Sequence, residues 1–244
     1  MSPEFESSAV RLRRAALHHG LAGQAALAGE VVPRAKLFLQ EAREIQLAAH
    51  RSGVPGGEVA KLRSDAVDIV IDALFLRAGP AAAELALVAT GGYGRAELCP
   101  LSDIDLLVLV PGHSPATKAL VESILYPLWD SGLKVGQSVR TVQECADYAK
   151  EDLHLRVALL ETRLLCGSRP LFDQIEAKVS AMLSGEAWRP LARSIVESQR
   201  KRREKAGGSA YLQEPDLKNG VGALRDVQGC VWLARIAQIG RAHV

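Results

Sequence analysis

The apolar positions of the chain change period twice. Residues 8 to 50, rich in Ala, Leu and Arg, read as helix, with Pro33 in a first turn where its missing N–H is no loss. "GVPGG" at 53 to 57 interrupts the pattern, and 58 to 78 resumes it through Val59, Leu62, Ala66, Ile69 and Leu76. The period then shortens. "ELALVAT" (84 to 90), "DIDLLVLV" (103 to 110) and "LKVGQSVRTV" (133 to 142) are short and mostly apolar, and Gly, Pro and Ser punctuate the chain around them, which predicts three strands. Helical spacing returns between the second and third of these, through Leu120, Ile124, Leu128 and Trp129. It continues almost throughout from 143 to 206, with a break near "CGSRP". "GGSAYLQEPDLKNGVGALRD" (207 to 226) reads as loop and "VQGCVWLARIAQIG" as a closing helix. The expected fold class is α/β, or α+β: a small three-strand sheet flanked by helices. A helical segment would occupy 1–82, the sheet-bearing core 83–145 and a helical module 146–240.

Composition narrows the class without deciding it. At 244 residues, 48% apolar and 24% charged, the chain suits a soluble globular protein of one large or two modest domains. A formal charge of +2 gives no argument for nucleic acid, and no apolar run approaches the roughly 20 residues of a membrane span. No apolar leader is visible at the start. Cys99, Cys145, Cys166 and Cys230 lie far apart without a CxxC pair, so reduced, mostly buried thiols and a cytoplasmic setting are expected. His154 and the adjacent His18 and His19 read as surface residues, because no metal-ligand spacing surrounds them. "MSPEF" and "IGRAHV" read as candidate additions to the natural chain and are given little weight.

The chemistry concentrates in "TGGYGRAELCPLSDIDLLVLV" (90 to 110). Side chains alternate along a strand, so Asp103 and Asp105 share one face while Ile104, Leu106, Val108 and Val110 share the other. Two like charges roughly 7 Å apart along a half-buried strand repel unless something positive sits between them. A hard divalent cation, Mg2+ or Mn2+, answers that demand, since it takes one or two carboxylates and completes its shell with substrate phosphates. Two such ions about 3.5–4 Å apart suit an in-line phosphoryl displacement. Gly91, Gly92 and Gly94 permit a close backbone approach to phosphate oxygens, Arg95 offers a charge-assisted contact, and Ser102 a further donor. "SQRKRREKAGG" (198 to 208) is a basic run, read first as a solvated helix end.

A GG pair followed ten residues later by D-h-D-h resembles the DNA polymerase β-like nucleotidyltransferase superfamily. The fuller "GGYGRAELCPLSDIDLL" is closer to the bacterial PII uridylyltransferases, and so are "GLKVGQSVRT" (132 to 141) and "EPDLKNGVGALRD" (214 to 226). The resemblance implies a magnesium-dependent enzyme that transfers UMP from UTP to a tyrosine of the PII nitrogen-regulatory protein. Asp103 and Asp105 would be catalytic and metal-binding. Gly91, Gly92, Gly94, Arg95, Ser102, Lys218 and Arg225 would bind the nucleotide. The family more often has Gly where Ala96 stands, His at Gln137, and a further Gly at Val221 or Ala223. It also implies a third acidic residue on the third strand, which "LKVGQSVRT" lacks, leaving Asp152 or Asp226 as candidates. The family continues into an HD hydrolase domain and two ACT domains. This chain has no His-Asp dipeptide, so it reads as an N-terminal transferase fragment. The alternatives are an enzyme like glutamine synthetase adenylyltransferase, a polymerase-type relative acting on RNA ends, and an inactive module that binds PII or nucleotide.

Overall fold

The structure, a computed structural model, describes residues 7–27 and 29–241. "MSPEF" and the last three residues of "IGRAHV" lie outside that range. The chain forms two compact units. One comprises the residues up to Glu144 together with Glu161–Asp173, the other Cys145–Leu160 together with the chain from Gln174 onward.

The first unit opens with α1 (Ser8–His18), whose Ser7 side chain caps the Val10 N–H, and continues into α2 (Val31–Arg51) and α3 (Gly56–Arg77). The single helical run expected over 8 to 50 is thus interrupted. Gly20, Gly23 and Gly29, all near φ +60°, turn the chain between α1 and α2, a conformation that other residues adopt only at a cost. Pro33 does sit in the first turn of α2. Ala35, Phe38, Ala42, Ile45 and Ala49 recur at helical spacing and are buried, which fixes the face that α2 turns inward.

The sheet follows: β1 (Ala86–Ala89), the short turn α4 (Gly91–Gly94), β2 (Ile104–Leu109), α5 (Pro115–Asp130), β3 (Val135–Arg140) and β4 (Arg163–Gly167). Its order is β3-β2-β1-β4. β1 pairs antiparallel with β2 and β4, while β2 pairs parallel with β3. A parallel pair needs a crossover, and α5 provides it, started by the Ser114 cap and Pro115. Ile104, Leu106 and Val108 face the core shared with α2, α3 and α5. The expected α/β class holds, but the sheet has a fourth strand where helix was expected. β4 is held against β1 by a close approach: Gly167 has φ +94°, and a Cβ there would lie 2.0 Å from the Leu85 carbonyl oxygen.

The second unit contains α7 (Leu153–Ala158), α9 (Trp188–Lys205) and α10 (Leu224–Arg241). The boundary between the units falls within α6 (Val142–Glu151) and α8 (Arg169–Leu183). No helix among the described residues is long and apolar enough to cross a membrane. Cys99 and Cys230 are exposed and Cys166 only partly buried, so Cys145 alone of the four fits the buried state expected for most of them.

Candidate active site

β1 ends at Ala89 and the chain turns at once. Thr90 is still extended, and its N–H donates to the Asp105 carbonyl at 3.0 Å, so the glycine turn begins beside the carboxylate-bearing strand. Gly91 follows at φ +58°, and the Gly94, Arg95 and Glu97 N–H groups close back onto Thr90, Gly91 and Gly92. Asp105 is the one exposed residue of β2, and Asp103 lies exposed just before it, with buried Ile104 between them. The chain therefore presents both carboxylates to solvent and the isoleucine to the core. Glycines leave room for the Asp105 carboxylate on two sides. A Cβ at Gly91 would lie 3.5 Å from Oδ2, and one at Gly136, its register partner on β3, 3.4 Å from Oδ1. Exposed carboxylate oxygens beside a glycine backbone are the hard donors that Mg2+ or Mn2+ takes, so the residues present fit such an ion.

Behind the turn lies a set of contacts that sequence reasoning missed. Tyr93, between the glycines, is buried, and its hydroxyl donates to Asp68 of α3 at 2.6 Å. Arg163 of β4 grips the same carboxylate with two nitrogens at 2.7 and 3.1 Å, donates to the Tyr93 carbonyl at 3.3 Å and lies 5.3 Å over its ring. Burial, and then the Asp68 carboxylate, push the Tyr93 hydroxyl well above the ordinary phenol range, so it remains a donor. One helical turn before Asp68, the buried Ser64 hydroxyl accepts the Leu98 N–H at 3.1 Å. Burial, then repulsion from Asp68, raise the Asp72 carboxyl to about 6. A signal for this face of α3 does exist in the sequence: Ser64, Asp68 and Asp72 stand at i, i+4 and i+8 in a largely apolar helix.

Glu161 closes the other side. A Cβ on Gly94 would fall 1.8 Å from the Glu161 carbonyl oxygen, so only glycine fits there without a backbone shift. The buried Glu161 carboxylate pairs with Arg95 at 2.5 Å, while Arg95 Nε donates to Glu97 at 2.7 Å. Arg95 is thus committed to two carboxylates of its own unit. Ala96 stands at φ +58°, a left-handed position that costs a non-glycine residue about 1 kcal/mol and suits the glycine expected there by resemblance. Ser102 is exposed, its N–H closing a turn onto Cys99, and Leu101 before it has φ +67°.

The two carboxylates suggested for a third acidic position both lie in the second unit, and both have local work there. Asp152 caps α7 through the His154 and Leu155 N–H groups at 2.8 and 3.2 Å. Asp226 accepts from the Gly222 N–H at 2.8 Å, from Arg203 at 3.0 Å and from Arg202. Lys218 and Arg225 are brought together in this unit, because the Arg225 N–H donates to the Lys218 carbonyl at 3.0 Å. The Asp216 carboxylate folds that loop by accepting the Lys218 and Asn219 N–H groups, both at 2.8 Å. The basic run of α9 is largely paired: Arg200 and Lys201 stand within 3.6 Å of Glu197 or Glu204, and Arg202 and Arg203 hold Asp226.

Comparison with known proteins gives this arrangement a lineage. Residues 77–165 match the nucleotidyltransferase domain family, and residues 191–243 match GlnD PII-uridylyltransferase. A bifunctional uridylyltransferase/uridylyl-removing enzyme of a Bradyrhizobium strain is 37% identical over 96% of this chain, which spans 26% of that relative. The chain belongs to the PII-uridylyltransferase family. Its counterpart from Azospirillum brasilense is 41% identical over 69% of this chain and 18% of its own length. The one from Caulobacter vibrioides is 35% identical over 92% and 25%. The chain therefore spans about a quarter or less of the curated relatives it matches. The nucleotidyltransferase match ends within β4, so it takes in the glycine turn, both carboxylates, Glu161 and Arg163.

Proposed function

We propose that this chain carries out nucleotidyl transfer in the cytoplasm, moving UMP from UTP to a tyrosine hydroxyl of a PII signal protein. The observation that carries the reading is the pair of exposed carboxylates, Asp103 and Asp105, set against a glycine turn at the end of β1. The tyrosine oxygen bonds to the α-phosphorus, the bond from that phosphorus to the bridging oxygen breaks, pyrophosphate leaves with the electron pair, and the phenolic proton passes to solvent. Asp103 and Asp105 would hold a divalent cation, which when bound would neutralise charge at the reacting phosphate and favour ionisation of the attacking hydroxyl. Gly91, Gly92 and Gly94 let backbone amides approach the phosphates, with Ser102 as a further donor. Arg95 contributes by holding the turn against Glu161. Lys218 and Arg225 are assigned to nucleotide binding by the family resemblance of the loop that carries them.

The test is incubation with α-labelled UTP, MgCl2 and purified PII, reading label on PII and release of pyrophosphate. Label on PII that depends on both metal and UTP supports the proposal. Label from ATP on glutamine synthetase would favour the adenylyl-transferring relative, and nucleotide binding without turnover would reduce the chain to a binding module.

A further inference from the structure

His18 ends α1, His19 follows as its cap, and Glu41 lies in the middle of α2. The sequence shows only two adjacent histidines, with no third ligand at a recognisable spacing. Folding supplies one from 22 residues away, with His19 Nε2 and Glu41 Oε2 at 2.8 Å. One candidate donor atom from each of the three residues lies within 4.8 Å of the others. We propose that His18, His19 and Glu41 bind a divalent transition-metal ion of the zinc class, apart from the carboxylate pair, tying the end of α1 to α2.

Three features of the cluster point to a ligand. The donor set is two imidazole nitrogens and one carboxylate oxygen, the composition of an open zinc site with a solvent position to spare. It does not suit magnesium or calcium, which take oxygen ligands. Two of the three side chains are already held in place. The His19 side chain is 14% exposed, its ring edge-on to Phe38 at 6.4 Å, and Glu41 bonds to it. His18 is the adjustable member: it is exposed, with its ring 4.8 Å from that of His19 and tilted by 66°. Nitrogen ligands at about 2.0–2.1 Å from a tetrahedral zinc place donors about 3.4 Å apart. A small rotation of His18 inward and a slight parting of His19 from Glu41 satisfies that spacing. The ion then takes the place of the hydrogen shared between Nε2 and Oε2. Arg11 and Arg14 line the same depression and their charge opposes a cation there, while Glu44 beside them favours it.

Calorimetry and thermal unfolding of chelator-treated protein, titrated with ZnCl2 or MgCl2, test the assignment. One zinc per chain should bind at this cluster and raise Tm by a few degrees at saturation, while any response to magnesium should be lost in Asp105→Asn and unaffected by His18→Gln. Cobalt should give visible d–d bands without a thiolate charge-transfer band. His18→Gln should weaken zinc binding about tenfold or more while leaving the metal-free Tm unchanged, because the His18 ring is exposed. Asp105→Asn should leave the zinc titration intact, even if transferase activity is never observed. The assignment is overturned by no saturable zinc binding, by binding indifferent to His18→Gln and Glu41→Gln, or by a thiolate band that traces the metal to Cys99 or Cys230.

Discussion

The glycine turn at 91–97 and the glycine-containing loop at 207–226 both recommend themselves as phosphate-facing segments, yet they are built by opposite means. The turn is held by residues far away in sequence: Asp68 is 25 positions before Tyr93, and Arg163 is 70 positions after it. Those partners come from a part-buried helix face and from the edge strand β4, so elements distant in sequence fix the shape of the turn. The loop is held mainly by its own exposed carboxylate, Asp216, and by Asp226 at the start of α10. Long-range, part-buried ties make a rigid platform, whereas local aspartate turns can reform after any opening. The turn should therefore tolerate almost nothing, and the loop a good deal.

The largest effect expected concerns the chemistry placed on the rigid platform. Asp105→Asn should lower metal-dependent transfer to PII by about three orders of magnitude, since the role proposed for the residue is positioning and charge neutralisation. Tm should stay level or rise slightly, because one of two neighbouring like charges is gone. Near-normal turnover with a lower Tm would make Asp105 a structural residue instead.

A pair of glycine substitutions sharpens the contrast directly. Gly94→Ala puts a methyl group where the Glu161 carbonyl oxygen already is, which should cost about 3 kcal/mol. Gly222→Ala meets nothing within 4 Å and suffers only from its φ of +76°, at about 1 kcal/mol. Denaturant unfolding of both variants decides. Equal losses would mean that the turn yields as easily as the loop.

Acid should separate the regions further. Burial raises the Asp226 carboxyl, but the Gly222 N–H, Arg203 and Arg202 outweigh it and hold the group below the usual carboxylate range. Its contribution is therefore present above about pH 4 and fades as pH falls through the depressed value. Asp226→Asn should cost about 1 kcal/mol at pH 7 and progressively less towards pH 3. A loss that is constant with pH would show that charge is not what Asp226 provides.

Asp72 runs the other way and has the smallest effect. Its carboxyl is raised to about 6, so the native state holds that proton more tightly than the unfolded chain. Its ionisation erodes stability as pH climbs from about 4 to about 6. Part of the group meets solvent, which screens the effect. Asp72→Asn should raise Tm modestly at pH 7.5 and not at pH 4, as scanning calorimetry would show.

How much of this was legible in the sequence depended on whether the deciding contact was local. Periodicity placed β1, β2, β3 and α5 to within a few residues, because each carries its own apolar pattern. It missed β4, whose "RLLCG" is five residues long, partly exposed throughout, and defined by pairing with a strand 74 positions away at Ala89 and Arg163. The carboxylates and glycines announced themselves as a motif. Tyr93 did not, since a tyrosine between glycines looks like filler until Asp68 and Arg163 are seen around it. Glu41 was invisible as a partner of His19 for the same reason: helix pairing, not spacing, puts them together.

The place of β4 at the far end of the sheet also sets a schedule for synthesis. A nascent chain released as far as residue 140 already carries the glycines, both aspartates and three of the four strands. It still lacks Glu161 and Arg163, so Arg95 and Asp68 wait without the partners that fix the turn. The stretch of α6 and α7 that must emerge in between belongs largely to the other unit. During translation, the proposed metal-binding residues therefore exist before the frame that gives them a fixed geometry. The emerging polypeptide gains the fixed form of the surface proposed to face phosphate only when the strand at 163–167 leaves the ribosome and pairs back onto β1.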